Sequence, residues 1–297
     1  MALQNIECPK CGKMITPMLG VHKSASSFDD CLRKCVKCNL GFSNAKTNPT
    51  LIYKHYKDNI PVLLRQDIDF ALDNSISHIN KVNKRIKFGF STSEDALTWS
   101  FFNYFVVNKR LQDLLNILNI ESDDTSDYDV YLWGVNICSK TLNTDLNQRL
   151  SLASKLFKED SKGRTEPDVI INLKDKLVFI EVKYKSPNDI QTNIEKFKKY
   201  ETNNYDIASL AKNGLYELYR NWAFVSSMSK GNKFELINLG FKKHFGGENK
   251  SKLEEFDKLI KTINGQFVQL NWNQIYDKLC EQEYDQWFLD YLKLKIG

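Results

Sequence analysis

Two acidic residues and a lysine fall within two neighbouring aliphatic runs of this 297-residue chain. Asp168 opens the run 169–173, and Glu181 and Lys183 lie in the run 177–184. Both runs are rich in β-branched residues and predict strands, and side chains on a strand alternate between its two faces. Glu181 and Lys183 therefore point the same way.

The short segment between the two runs sets which positions face each other. With the turn centred on Asp175, antiparallel partners have positions that sum to about 350, which places Asp168 opposite position 182, within one residue. The Asp168 carboxylate is thereby expected beside the Glu181 carboxylate, within reach of a shared ion.

Two carboxylates this close repel each other unless a cation lies between them, and hard oxygen ligands with open positions suit Mg²⁺. Such a cation polarises a phosphate oxygen and lowers the pKa of a bound water. Lys183 would orient that water or stabilise the charge that develops on the phosphate. The chemistry indicated is phosphodiester hydrolysis. The alternative is that Asp168, Glu181 and Lys183 form the solvent side of an ordinary hairpin.

This segment resembles the core of the PD-(D/E)xK nuclease superfamily, whose fold also underlies type II restriction endonucleases. The resemblance rests on Thr165-Glu166-Pro167-Asp168-Val169-Ile170-Ile171, followed by Val178-Phe179-Ile180-Glu181-Val182-Lys183. It covers roughly residues 91–226 and implies an α/β fold, with a mixed central sheet flanked by helices. It also implies that Asp168 and Glu181 are ligands of a catalytic Mg²⁺ and that Lys183 is the catalytic lysine.

The resemblance suggests roles for two further residues. The family often places a glutamate on its first core helix, and Glu94 lies at the matching place. A capping box formed by Ser91 and Glu94 would explain that glutamate without catalysis. Some members carry a polar signature after the hairpin, which Tyr219-Arg220-Asn221-Trp222 resembles. Arg220 is therefore a candidate contact to the carboxylates or to phosphate, or else an arginine on a solvated helix end.

Two CxxC pairs near the N-terminus predict a metal site. The pairs are Cys8-Pro9-Lys10-Cys11 and Cys35-Val36-Lys37-Cys38, separated by 23 residues. This spacing is close to that of a four-cysteine zinc ribbon, and the segment has too few aliphatic residues to build a core without such a staple. We therefore expect Cys8, Cys11, Cys35 and Cys38 to hold a structural Zn²⁺.

Other residues leave the ligand set open. Cys31 lies four residues before Cys35 and could replace one ligand, and His22 or His55 could contribute. The chain has seven cysteines, four of them in the two CxxC pairs, which fits a reducing compartment better than a disulfide framework. The chain shows no long apolar stretch and no signal-peptide pattern, so we expect a soluble protein of the cytoplasm.

Positive charge is concentrated in the N-terminal third. Residues 1–90 carry 14 Lys and Arg against 7 Asp and Glu, which leaves 28 against 30 for residues 91–297. Such a distribution is expected if this third contacts a polyanion, although a solvated lysine-rich surface gives the same counts. The candidate DNA contacts are Lys10, Lys13, Arg33, Lys34, Lys37, Lys84, Arg85 and Arg220.

The pattern along the chain predicts four segments. Residues 1–50 form the zinc-ribbon-like module, 51–90 a basic helical connector, 91–230 the nuclease core and 231–297 a C-terminal extension of that core. Within the core we expect one long helix over about 93–118 and a buried strand over 130–138. A short strand is expected at 222–226, and an amphipathic helix around Trp287 should end the chain.

The leading hypothesis is a Mg²⁺-dependent endonuclease of double-stranded DNA, resembling a type II restriction enzyme of a prokaryotic cell. Cleavage of both strands would use two active sites, so we expect a homodimer, and a cognate DNA methyltransferase could act separately. One alternative keeps the fold and recognises branched or damaged DNA, as a repair or junction-resolving nuclease does. Another is a zinc-ribbon protein that binds DNA without cutting it.

Overall fold

The structure is a computed structural model that describes residues 3–20, 23–76, 81–125, 128–142, 144–160, 164–201 and 205–297. His22, a possible zinc ligand, and residues 77–80 of the predicted helical connector lie outside the described residues. None of the described helices is long and apolar enough to cross a membrane.

The N-terminal segment forms two small sheets, which we call the cysteine module. Its strands are β1 (Ile6–Glu7), β2 (Met14–Ile15), β3 (Arg33–Cys35), β4 (Leu40–Phe42) and β5 (Leu51–Tyr53). β1 pairs with β2, and β3, β4 and β5 form an antiparallel sheet. The prediction that residue 51 begins a helical connector is wrong, because Leu51–Tyr53 completes this sheet.

The rest of the chain alternates helices with the strands of one larger sheet. The first part contains 3-10 helices at Tyr56–Asn59 and Val62–Leu64, then α1 (Ile68–Asn74), α2 (Lys81–Phe88), α3 (Glu94–Val107), α4 (Leu111–Leu118), β6 (Asp129–Leu132), β7 (Val135–Asn136) and α5 (Thr144–Leu156). The second part contains β8 (Val169–Asn172), β9 (Lys176–Val182), α6 (Ile194–Lys198), α7 (Ile207–Asn213), α8 (Tyr216–Ser229), β10 (Lys233–Gly240), a 3-10 helix at Lys242–Phe245, α9 (Glu248–Leu259), β11 (Gly265–Asn271), α10 (Trp272–Cys280) and α11 (Gln286–Ile296).

The larger sheet has six strands in the order β11-β10-β9-β8-β6-β7. β9, β10 and β11 run parallel, whereas β9-β8, β8-β6 and β6-β7 are antiparallel pairs. The protein is therefore a mixed α/β fold with a mixed central sheet, as the sequence predicts. Residues beyond 230 supply β10 and β11, so the C-terminal segment is part of the same sheet.

Each face of the sheet buries its own apolar cluster. Val178, Ile180 and Val182 of β9 pack into a cluster that includes α3, α4, α10 and α11. Leu177 and Phe179 pack on the opposite face, against α5, α7, α8 and α9. Because alternate side chains share a face, Glu181 lies on the α8 side of the sheet.

Three predicted elements differ from the observed ones. The helix predicted over 93–118 is divided into α3 and α4, and Lys109 at the break has a φ of 56°. The strand predicted over 130–138 is a hairpin, because Trp133 and Gly134 both have positive φ and form a tight turn. The strand predicted at 222–226 is wrong, since these residues form the middle of α8 and pack on the sheet.

Candidate functional site

The hairpin of β8 and β9 brings the predicted acids together. Val169 pairs with Ile180, so Asp168 falls beside Glu181. The sequence predicts position 182 as its partner, within one residue, and the observed register lies one residue away. The backbone N–H of Val182 donates to Asp168 Oδ2 at 2.9 Å, which fixes that carboxylate at the start of β8. Glu181 is only 7% exposed, so these side chains do not form the solvent side of the hairpin.

Lys183 is held by carboxylates from two elements. Its Nζ lies 2.7 Å from Glu181 Oε1 on β9 and 2.8 Å from Glu217 Oε2 on α8. Asn221, one helical turn beyond Glu217, donates its Nδ2 to Glu181 Oε2 at 2.6 Å. α8 therefore contacts both Glu181, on β9, and Lys183, which directly follows β9, from a single face.

Glu94 reaches the same site from the start of α3. Its Oε2 accepts the backbone N–H of Tyr184 at 2.8 Å. The capping box predicted for Ser91 and Glu94 is absent from this described segment, because Ser93 is the N-cap and its Oγ accepts the N–H of Ala96. The capping explanation for Glu94 is thus corrected, and its carboxylate faces the end of the hairpin.

The three acids and the lysine perturb one another. Burial raises the pKa of Glu94 to about 7, with Glu181 adding to the rise and Lys183 opposing it. Burial, together with the Glu181 and Glu94 carboxylates, raises the pKa of Asp168 well above its ordinary value. Burial would lower the pKa of Lys183, but the carboxylates of Glu181 and Glu217 outweigh it and raise that pKa. Clustered acids of this kind are stabilised by added positive charge.

The donor set of the acids is suited to a hard cation. The backbone amides of Val182 and Tyr184 each donate to one oxygen, of Asp168 and of Glu94 respectively. The second oxygen of each carboxylate takes no part in these two hydrogen bonds. Carboxylate oxygens are the ligands that Mg²⁺ prefers, together with water. In the described part of the chain, only the four cysteines bring three or more ligand atoms within 4.8 Å of one another, so the acids are more widely spaced than the cysteines.

A cleft of about 1060 Å³ reaches this site at Glu94 and Lys183, whereas Asp168 and Glu181 are not among its lining residues. Asp95 also lines the cleft, as do Ser26 and Ser27 of the cysteine module. The cleft therefore lies between the module and the central sheet.

The four cysteines of the two CxxC pairs form the second site. Their sulfur atoms all lie within 4.8 Å of one another, and Cys11 Sγ is 3.6 Å from Cys35 Sγ. Tetrahedral zinc with Zn–S bonds near 2.3 Å needs sulfurs about 3.8 Å apart, so the cluster can hold a metal ion such as Zn²⁺. A hydrogen bond from the Lys13 backbone lowers the pKa of the Cys11 thiol to about 7, which favours the thiolate that a metal binds.

The backbone around the cysteines explains the residues that follow each pair. The N–H of Gly12 donates to Cys8 O, and that of Cys38 donates to Cys35 O. Gly12 and Asn39 have φ of 70° and 51°, a left-handed conformation that these two residue types adopt most readily. The sequence pattern thus predicts the local geometry of both turns.

Cys31 stays outside this group of sulfurs in the described structure. Its Sγ donates to the Ser27 carbonyl, and burial raises the pKa of its thiol to about 11. His55 is likewise not a member of the group. The simpler of the predicted ligand sets, two matched pairs, is the one that the fold assembles.

Two of the residues predicted to contact DNA are already engaged within the protein. Arg33 is 2% exposed, and its guanidinium donates to the backbone carbonyls of Gln4, Ser43 and Ala45, so it holds the module together. Lys84 is 9% exposed and forms an ion pair with Glu166. Neither cation can reach a phosphate without losing these partners.

The remaining candidates keep varying degrees of access. Lys10, Lys13 and Lys37 are exposed on the module, and Lys10 also lies over the Tyr53 ring. Lys34 donates to the Asp29 carbonyl, and Arg85 forms an ion pair with Asp73.

Arg220 lies beside the site but is not seen to contact its carboxylates directly. Its guanidinium lies 5.9 Å from the centre of the Tyr216 ring. Burial would raise the pKa of Glu217, but the charge of Lys183 and, to a smaller extent, that of Arg220 lower this pKa. The residues that sequence reasoning missed are Glu217 and Asn221. Asn221 lies in the polar signature Tyr219-Arg220-Asn221-Trp222, from which only Arg220 was chosen, and for Glu217 the one signal was its spacing of four from Asn221, which is common on solvated faces.

Comparison of the chain with known protein families, with curated proteins and with solved structures finds no match.

Proposed function

We propose that the protein is a Mg²⁺-dependent endonuclease that hydrolyses phosphodiester bonds of double-stranded DNA, with a restriction-endonuclease-like core. The observation that carries the proposal is the convergence of Glu94, Asp168, Glu181 and Lys183 at one end of the β8-β9 hairpin, where Glu94 and Lys183 line a large cleft. The sequence resemblance to PD-(D/E)xK nucleases supports the same assignment.

Each residue has a role that follows from its position. Asp168, Glu181 and Glu94 would hold the Mg²⁺, which when bound supplies Lewis-acid chemistry at a phosphate oxygen. Lys183, flanked by Glu181 and Glu217, stays an ammonium and acts as a hydrogen-bond donor, not as a base. It binds a phosphate oxygen or the attacking water and stabilises the negative charge that develops there. Asn221 keeps Glu181 oriented through its 2.6 Å hydrogen bond.

The cysteine module would help to place the duplex. It lines part of the cleft through Ser26 and Ser27, and Lys10, Lys13 and Lys37 are exposed on it. Exposed lysines contribute salt-dependent contacts to phosphates without reading the bases. Two copies of the chain on one duplex would cut both strands, so a homodimer and a site-specific restriction activity belong to the same proposal.

Cleavage of supercoiled plasmid DNA tests the proposal. Purified protein with Mg²⁺ should convert the plasmid to discrete, reproducible fragments. Asp168→Asn, Glu181→Gln and Lys183→Met should each reduce the rate by at least about 100-fold, because each removes a charged group from the reacting centre. The proposal fails if the wild type cuts nothing or if these variants cut at the same rate.

The central sheet provides a matched control for the lysine. Lys176 lies on the same strand β9 and pairs with Glu235 Oε2 at 3.3 Å, far along the strand from Lys183. Lys176→Met removes a strand lysine and breaks an ion pair without touching the site, so it should cut at the wild-type rate. Cleavage confined to branched or damaged DNA would instead indicate a repair nuclease, and salt-dependent binding without cleavage a DNA-binding protein.

A further inference from the structure

A second cavity, of about 740 Å³, lies directly beside the cleft. The two share Thr92, Tyr184 and Lys185 as a common wall. Tyr184, which lines the cavity, directly follows Lys183 and donates its N–H to Glu94. The cavity therefore begins one residue beyond the proposed catalytic lysine. A strand of DNA whose phosphate occupies the cleft would therefore place its neighbouring nucleotides next to this cavity.

The walls of the cavity are largely aromatic and aliphatic. Tyr53, Trp287 and Tyr291 supply rings, and Val62 and Leu294 at the lining are 72% and 76% exposed. A cavity of this size lies within the range of about 300–1,000 Å³ typical of small-molecule sites. Exposed aliphatic side chains around an aromatic interior suit a flat, weakly polar ligand.

The charged groups of the cavity argue against an anion as its occupant. Asp290 lines it and would repel a phosphate, and Asp58, which also lines it, is paired with Arg65 at 3.1 Å, so it attracts no anion either. Of its two lysines, Lys295 donates to Asn59 Oδ1 and to the Ser91 carbonyl, and Lys185 lies over the Tyr184 ring. Both lysines are thus already engaged by the protein, which leaves the aromatic surfaces as the main binding feature.

We propose that this cavity receives one nucleobase of the DNA strand bound in the cleft, rotated out of the base stack. A nucleobase is flat and uncharged, and contacts with aromatic and aliphatic side chains replace part of the stacking that it loses on leaving the duplex. The inference rests on the proposed nuclease function, because that function places DNA in the adjoining cleft. It adds a means by which the protein recognises a base close to the bond that it cuts.

The test begins with the plasmid assay of the wild-type protein. Sequencing of the fragment ends gives a duplex that the protein cuts, and 2-aminopurine is then placed in turn at each position around the scissile bond. The inactive Asp168→Asn protein is added with Mg²⁺, and fluorescence is read. One position should brighten several-fold, because 2-aminopurine fluoresces strongly when it is unstacked from its neighbours.

A variant at the cavity mouth separates extrusion into this cavity from extrusion elsewhere. Leu294 is largely exposed, so Leu294→Glu can fold while it places a negative charge where the base would enter. In the Asp168→Asn background it should abolish the fluorescence rise, and alone it should slow cleavage at least five-fold. Leu152→Glu, at a leucine 61% exposed on α5, is the matched control and should behave as its parent.

The outcomes distinguish the two proposals. If the wild type cuts the duplex but no position brightens, the base-binding role of the cavity is overturned and the nuclease function stands. A fluorescence rise that persists unchanged in Leu294→Glu overturns the cavity as the place where the base goes. Absence of cleavage by the wild type overturns the nuclease function and the inference that depends on it.

Discussion

Lys183 is shared between a carboxylate that would bind the cation and one that would not. Glu181 Oε1, at 2.7 Å from the ammonium, is also a proposed Mg²⁺ ligand, so a bound cation competes with Lys183 for this oxygen. Glu217, at 2.8 Å and on a separate helix, keeps its contact with Lys183 in either case. Glu217 is therefore a positioning residue, which holds the ammonium in place when Glu181 turns to the metal.

We predict that Glu217→Gln lowers kcat for DNA cleavage roughly 10- to 100-fold, the range seen when a partner of a metal-site residue is removed. KM should change little, because Glu217 lies behind Lys183 and does not face the cleft. Glu217→Asp should recover part of the lost rate. Steady-state cleavage of a fixed duplex measures both constants, with Glu235→Gln as the buried-glutamate control. An increase in KM with unchanged kcat would contradict the positioning role.

Asn238 is the register partner of Glu181 on β10, and it is 0% exposed. Neither side-chain atom of Asn238 finds a hydrogen-bond partner among the described residues. An unsatisfied buried polar group costs about 1–3 kcal/mol. Residues that lower stability in this way are expected mainly beside functional sites, and Asn238 lies beside Glu181.

The variant Asn238→Val should move stability and activity in opposite directions. The free energy of unfolding should rise by about 1 kcal/mol, because the orphaned amide is removed and valine suits a strand. Cleavage should fall, because valine removes the polar side chain beside Glu181, a residue that would hold the Mg²⁺. Urea unfolding and plasmid cleavage of the same preparation measure the two effects. A variant that is less stable and fully active would refute this account of Asn238.

At the scale of elements, the hairpin could be predicted because its information is local. A short turn fixes the register of two adjacent strands, so the positions of Asp168 and Glu181 follow from counting residues. The parallel strands β10 and β11 could not be predicted in the same way, because a parallel partner lies a whole crossover away. The positions of the four cysteines were predictable because chelation dictates their spacing.

α8 shows why the remaining part of the site escaped prediction. Its buried residues Trp222 to Val225 are continuous and apolar, as in a central strand, and periodicity alone does not separate a buried helix from a strand. Once the segment is a helix, Glu217 and Asn221 face β9. Only the packing of α8 on the sheet distinguishes these polar residues from those of a solvated face.

The cysteine module has a small core of its own, to which the cysteines themselves contribute. Cys8 and Cys35 pack with Ile15, Leu40 and Phe42, whereas the central sheet has two larger apolar clusters. A bound metal would therefore stabilise the module far more than it stabilises the sheet.

We predict that Cys8→Ser abolishes zinc binding and opens the module to protease while the main unfolding transition of the sheet persists. Metal content by atomic absorption and limited proteolysis measure the two effects. Cys31→Ser is the matched control in the same module and should retain about one zinc per chain. Loss of zinc from Cys31→Ser with retention in Cys8→Ser would instead make Cys31 a ligand.

At the scale of the whole molecule, Lys295 on α11 links the last helix to the segment that follows the cysteine module. Its Nζ donates to Asn59 Oδ1 at 2.7 Å and to the Ser91 carbonyl at 2.8 Å, and it is 4% exposed. Burial, with a smaller contribution from the charge of Lys185, lowers the pKa of Lys295 to about 7. A neutral amine has two N–H donors, which match these two acceptors.

This buried lysine makes stability depend on pH in a defined window. The pKa is about 7 in the folded protein and about 10.4 in the unfolded chain. Between these values the unfolded state binds a proton that the folded state lacks, so the free energy of unfolding rises with pH. The contribution is complete above the unfolded pKa and is lost as pH falls toward 7.

We therefore predict that the wild type gains stability relative to Lys295→Met as pH increases from 7 to 9, by up to about 1.4 kcal/mol per pH unit. The difference between the two proteins cancels the other titrating groups. Urea unfolding at three pH values measures it, and Lys293→Met, at an exposed lysine of the same helix, should follow the wild type. Parallel curves for wild type and Lys295→Met would mean that Lys295 keeps its proton when the protein folds.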